Sequence, residues 1–135
     1  MPRFLVVVLA AVLMSPTAAH AQAGSSAKSV EPFKIGTFRI GNARTVGLVL
    51  RDSLVVDLVQ ANAELEKSRG FPAWSMPTDM IDLIAEYENG LKGRLYAIVN
   101  ELVQAKALDG KRPAYVRELK EVQTLAPIPR PRQIM

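Results

Sequence analysis

Short apolar runs with same-face spacing of two fall between turn signals from Phe33 to Leu58, and helical spacing follows. Phe33-Lys34-Ile35-Gly36-Thr37-Phe38-Arg39-Ile40 predicts a first strand. Its apolar parity changes between Ile35 and Phe38, so Gly36 predicts a bulge or a twist. Gly41-Asn42-Ala43-Arg44 predicts a turn, because Gly and Asn accept positive φ. Thr45–Leu50 and Ser53–Leu58 predict two further strands on either side of Arg51-Asp52, rich in β-branched residues. Val46, Leu48 and Leu50 share one face, as do Leu54, Val56 and Leu58. The result is a three-stranded antiparallel meander.

Asp57 or a near neighbour then caps a short helix to about Lys67 that carries Val59, Ala63 and Leu65. Ser68 to Pro77 is a loop, because two prolines and a glycine interrupt any regular element, and Phe71 and Trp74 tuck it onto the core. Thr78 caps the next helix, with Asp79 in its first turn and a broad buried face of Met80, Ile81, Leu83, Ile84 and Tyr87. Asn89-Gly90 ends or bends it. Leu91, Leu95, Ile98, Leu102 and Ala105 mark a second main helix that runs to about Leu108. Asp109 to Pro113 closes it, and Tyr115–Thr124 predicts one strand returning to the sheet, with Glu118, Lys120 and Gln123 toward solvent. The expected fold class is α+β: a small antiparallel sheet, built from the meander and the returning strand, with two main helices packed beside it.

The N-terminus changes the picture of composition. Arg3 precedes an apolar stretch from Phe4 to Met14, and Ser15-Pro16-Thr17 closes it. Ala19-His20-Ala21 and Ala21-Gln22-Ala23 both fit a small-x-small cleavage site, so residues 1–23 predict a secretory signal peptide. The stretch is shorter than the roughly 20 apolar residues a spanning helix needs, which disfavours a stable membrane anchor. Cleavage near Ala21 or Ala23 places the product in the periplasm or outside the cell. Residues 24–32 then read as a flexible leader. The chain has no cysteine, so an oxidising compartment adds no disulfide. Its formal charge of +4 is spread over interspersed acids and bases, with no basic run interleaved with aromatics, which argues against a nucleic-acid partner.

Candidate chemistry is sparse. His20 is the only histidine and lies in the segment expected to be removed. The mature chain then has neither His nor Cys, which eliminates Ser-His-Asp and Cys-His catalysis and ordinary zinc sites. Asp79, Asp82 and Glu86 share one helix face and are hard-cation ligand types. A solvated face opposite Ile81 and Ile84, with a carboxylate at the helix N-terminus, explains them more simply. Ser53, Ser68 and Ser75 lie in no nucleophile motif. Phe71, Trp74 and Tyr87 are more economically packing residues than a ligand cleft, and Arg130 and Arg132 more economically solubilise a linker than bind an anion. No catalytic, cofactor-binding or metal-binding residue is therefore assigned.

The last residues carry the most specific signal. Pro127, Pro129 and Pro131 alternate with Ile128, Arg130 and Arg132, and each proline drives its predecessor out of the helical region. Residues 125–135 thus predict a stiff extended connector that turns apolar at Ile134-Met135, as at the start of a buried strand. The run from Val122 to Ile134 (Val-Gln-Thr-Leu-Ala-Pro-Ile-Pro-Arg-Pro-Arg-Gln-Ile) resembles the hinge of fumarylacetoacetate-hydrolase-like proteins. Gly47-Leu48-Val49-Leu50 and Val55-Val56-Asp57-Leu58 are similar to that family's opening hairpin, and the resemblance covers residues 33–135.

In that family a small N-terminal domain precedes the catalytic domain, whose Asn-Tyr-x-x-His signature and metal-binding carboxylates have no counterpart here. The resemblance implies that 33–124 is such a domain. It also implies that 125–135 connects to a catalytic domain beyond Met135, in cis or as a separate chain in trans. The parent reaction it implies is hydrolytic cleavage of a carbon–carbon bond in a diketo acid. There Mg²⁺ or Ca²⁺ polarises the substrate and a histidine activates water, and homodimer contacts are possible in the parent enzyme. The expectation is a non-catalytic fragment of an exported hydrolase. The alternative is a freestanding periplasmic binding or interaction module, whose tail folds back to bury Ile128, Ile134 and Met135.

Overall fold

The computed structural model describes residues 28–129. The expected signal peptide at 1–23, His20 and the connector residues 130–135 lie outside the described residues. The elements follow the chain as β1 (Phe33–Ile40), β2 (Ala43–Leu50), β3 (Leu54–Asp57), α1 (Leu58–Glu66), α2 (Met80–Glu86), α3 (Leu91–Gln104), β4 (Val116–Glu118) and β5 (Gln123–Leu125). Single 3-10 turns at Tyr87–Asn89 and Leu119–Glu121 link α2 to α3 and β4 to β5. The fold is α+β, with one five-stranded antiparallel sheet and three helices among the described residues.

The meander forms as its alternation predicts. β1 and β2 pair without interruption from Phe33↔Leu50 to Ile40↔Ala43, so Gly36 is not a bulge. Gly36 instead stands opposite Gly47 and leaves room for Phe38, whose ring lies over both: a Cβ on Gly36 would meet the ring at 2.7 Å, and one on Gly47 at 3.1 Å. The parity change in β1 is therefore real but has another cause. Phe33 and Ile35 pack toward the helices, whereas Phe38 and Val55 are buried on the opposite face, outside the helix-covered core.

The returning strand differs from expectation. Residues 115–124 do not form one strand but two short ones on opposite edges of the sheet, in the order β4-β3-β2-β1-β5. Glu118 pairs with Leu54, and Gln123 pairs with Arg39. In a flat sheet four strand spacings would separate these edges by roughly 19 Å sideways. Five residue steps reach at most about 18 Å, and the intervening 3-10 turn shortens that. The sheet must therefore curl so that its edges approach, and the curl encloses the second apolar face around Phe38 and Val55.

The helices cover the other face, where Val46, Leu48, Leu50, Leu54 and Val56 meet Leu58, Leu65, Leu91, Leu95 and Ile98. Asp57 caps α1 as expected, its Oδ1 accepting from the Gln60 N–H at 3.1 Å. The helix is rotated from its predicted face: Leu58, Ala61, Asn62 and Leu65 are buried, and Val59 and Ala63 are exposed. In α2 the cap is Asp79 itself, not Thr78, and its Oδ1 accepts from the Ile81 and Asp82 N–H groups at 2.8 and 3.0 Å. In this helix of only seven residues Met80 and Leu83 are buried while Ile81 and Ile84 are 46% and 59% exposed, so the buried face is narrower than the broad one read from the sequence.

Both ends of the described chain are fastened. Lys28–Glu31 fall within the stretch read as a flexible leader, yet Asn100 of α3 receives the Val30 N–H at 2.8 Å and donates to the Lys28 carbonyl at 2.9 Å. Glu31 forms a two-point ion pair with Arg51, which also reaches Asp109 at 2.7 Å. At the other end, Arg44 Nη2 donates to the Ala126 carbonyl at 2.9 Å and Thr37 Oγ1 to the Pro127 carbonyl at 3.2 Å, while Ile128 packs half-buried against the core.

Candidate functional site

The densest buried polar cluster was not read from the sequence. Arg94 lies on the apolar stripe of α3 and is fully buried. Its Nε donates to Asn62 Oδ1 at 2.7 Å and its Nη2 to Glu66 Oε1 at 3.3 Å, while its guanidinium sits 5.6 Å from the centre of the Phe71 ring. Nη1 has no hydrogen-bond partner among the described residues. Glu66 Oε1 also accepts from Asn62 Nδ2 at 2.8 Å and from the Trp74 N–H at 2.7 Å, and Asn62 Nδ2 donates to the Trp74 carbonyl at 2.9 Å. Asn62 and Glu66 are one turn apart on α1, so one helix face serves both the loop and α3.

Desolvation pushes the Arg94 guanidinium below its ordinary pKa, and the Glu66 charge opposes that fall. Such a burial is tolerable because the planar guanidinium is weakly hydrated, is hydrogen-bonded at two nitrogens and stacks on an aromatic face. Mechanically, the cluster clamps the loop between α1 and α2 at both backbone groups of Trp74. The indole then rests against Gly90, where a Cβ would come within 2.9 Å of the ring and φ is +108°. Only glycine satisfies both conditions.

The residues singled out by sequence do not converge. Asp79 is committed to capping, and the Asp82 and Ile81 N–H groups hold its carboxyl below the usual aspartate range. The Asp79 charge pushes its neighbour Asp82 up. No group of three His, Cys, Asp or Glu side chains able to hold a metal ion occurs among the described residues. Ser53 lies in the β2–β3 turn, Ser68 ends α1 and Ser75 is exposed in the clamped loop, so the three serines are scattered. Phe71 covers Arg94, Trp74 covers Gly90 and Tyr87 packs on the core with Lys92 Nζ 5.8 Å from its ring centre. These aromatics pack; they do not face one another across a cleft.

What the fold does assemble is an open groove of about 450 Å³ between the sheet and α2, lined by Arg44, by Met80, Ile81 and Asp82, and by Pro127 and Pro129. Arg44 joins its two sides, donating to the Ala126 carbonyl and lowering the pKa of Asp79 by its charge. The groove offers apolar contact, one guanidinium and carboxylates. Among the described residues no helix is long and apolar enough to cross a membrane. No protein-family model matches the chain, and no curated protein matches it.

Proposed function

We propose that this chain is the non-catalytic N-terminal module of an exported fumarylacetoacetate-hydrolase-like enzyme. The parent reaction implied by the resemblance is metal-dependent hydrolysis of a carbon–carbon bond in a diketo acid. The observation that carries the reading is the proline run. It leaves β5 from a fixed point, held at Ala126 by Arg44 and at Pro127 by Thr37, as a connector that orients a following domain requires. The order of meander, helices and proline connector adds support. The Mg²⁺ or Ca²⁺ implied by the family finds no ligand set among the described residues, so no catalytic step is assigned to them. Their role is to pack and position. Export to the periplasm or beyond belongs to the same proposal and rests on the residues before Gly24. The test is an assay of the purified chain with acylpyruvates and Mg²⁺. No turnover is expected from the chain alone, and metal-dependent turnover would contradict the reading.

One observation favours a second reading, a freestanding periplasmic binding or interaction module. Ile128 already packs on the core, which is the first contact a folded-back tail needs. Co-purification from the native host separates the two: a catalytic chain bound in trans supports the first, and a small-molecule ligand retained by the chain alone supports the second.

A further inference from the structure

Between α1 and α3 lies a pit of about 190 Å³, bordered on its third side by Tyr115 at the approach to β4. Its floor is apolar: Ala61, Leu65, Ile98 and Leu102 line it and are all buried. Its rim is polar. Glu64 of α1 and Glu101 of α3 line it and are exposed, while Tyr115 is half-buried. The two carboxylates converge on that phenol. Burial first, and then the charges of Glu64 and Glu101, raise the Tyr115 pKa above its ordinary value, and Lys67 opposes them. Lys67 holds Glu64 at 2.6 Å from outside the pit, and no ion pair to Glu101 occurs among the described residues. The two carboxylates repel each other there, and a cation seated between them relieves that repulsion.

We propose that this pit binds a free aliphatic ammonium ion, with its alkyl chain on the apolar floor and its head group between Glu64, Glu101 and the Tyr115 hydroxyl. The donor count fits. An ammonium carries three N–H donors, and the rim offers two carboxylates and one phenol oxygen. The volume lies below the range of a drug-sized site and suits a short chain. A bare metal ion would leave the apolar floor unused, and a carboxylate ligand would meet two like charges. A lysine side chain of a partner protein enters the wrong way round, because its charged end arrives first and would be buried on the floor. A free amine enters tail first and keeps its charge at the wet rim. This inference does not rest on the family reading, since the pit lies wholly within the module.

The test titrates n-pentylammonium chloride into the full-length chain with labelled leucine and isoleucine methyl groups. The Leu65, Ile98 and Leu102 signals should shift together and saturate with a Kd of about 1 mM, in keeping with so small a ligand. Pentanoate has a similar chain with the opposite charge, and methylammonium has the charge with a single methyl group. Each should bind about tenfold more weakly or worse. Glu101→Gln should weaken pentylammonium binding about fivefold. Ala105→Leu places a larger side chain in the pit and should abolish the shifts. Glu86→Gln, on α2 and away from the pit, should leave binding unchanged. Leu48 methyl signals stay constant in each variant and report an intact fold. Equal binding of pentanoate, or binding unchanged by Glu101→Gln, would overturn the proposal. So would tighter binding of N-acetyl-lysine amide than of pentylammonium, which would make the occupant a lysine of a partner protein.

Discussion

Replacing Glu66 by alanine should be far more damaging than replacing Arg94 by methionine, although the two partners share one ion pair. Among the described residues Glu66→Ala leaves the fully buried Arg94 with Asn62 as its only hydrogen-bonded partner, and it deprives Trp74 N–H of its acceptor and Asn62 Nδ2 of one of its two. An uncompensated buried charge costs about 3–5 kcal/mol. Arg94→Met removes the charge with its desolvation cost and refills much of the volume. Glu66, whose side chain is 28% exposed, can then hydrate and still hold Trp74. The remaining loss is mainly the donor to Asn62 Oδ1, about 1–2 kcal/mol. The double variant should consequently be more stable than Glu66→Ala alone, a coupling of about 2 kcal/mol.

Urea titration followed by fluorescence measures all three variants. Trp74 is the only tryptophan and sits in the clamp, so its emission reports loop docking directly. With a slope of about 1.5 kcal/mol per molar, typical of a small domain, Glu66→Ala lowers the midpoint by about 2–3 M. That is a large part of the 5–15 kcal/mol typical of a whole domain. A loss under about 1 kcal/mol for Glu66→Ala, or a double variant less stable than that single one, would refute the assignment of Arg94 as a charge held by Glu66.

Three further outcomes follow from local geometry. Gly47→Ala should cost about 1–3 kcal/mol, seen as a lower thermal midpoint, because its Cβ would lie 2.9 Å from the Val56 carbonyl oxygen and 3.1 Å from Phe38; an unchanged midpoint would contradict the glycine-pair account. Lys106→Gly should stabilise by about 0.5–1 kcal/mol, the left-handed penalty less the entropy of glycine. Lys106 has φ +52° after α3, where the Ala107 N–H closes onto the Leu102 carbonyl, and a loss of stability there would be the wrong sign. In a carbon-13 carboxyl titration Asp79 should titrate below the ordinary aspartate value and Asp82 above it. A lowered folded pKa means that the contribution of the Asp79 cap is complete above the unfolded value and is lost as pH falls through the folded one. Asp79→Asn should remove that dependence, and the reverse order of titration would contradict the cap.

Legibility followed the length and regularity of each element. β1 to β3, of eight, eight and four residues, are rich in β-branched residues and form the antiparallel meander read from the sequence, and the stripe of α3 from Leu91 to Leu102 needs no tertiary knowledge. α2 is too short for periodicity to fix its face, and only Met80 and Leu83 of its apolar residues are buried while Ile81 and Ile84 stay exposed. The stretch 115–124 reads as one strand because its two halves alternate alike. Their separation onto opposite edges arises from the curl of the whole sheet, which no local pattern records.

The Arg94 clamp left a signal that composition hides. A charged residue sits on the stripe Leu91, Leu95, Ile98, and an Asn and a Glu four apart sit beside the stripe of α1. A lone arginine on an apolar face asks for such a partner. The fastening of Lys28 and Val30 by Asn100 joins residues some 70 positions apart, and only the fold brings them together.

The proposed role beside a separately encoded hydrolase domain is decided by sequencing the DNA past the Met135 codon in all frames. An Asn-Tyr-x-x-His signature followed by acidic metal-ligand motifs is the expected result. An adjoining region with neither, beside a chain that alone purifies with a bound small molecule, would contradict it.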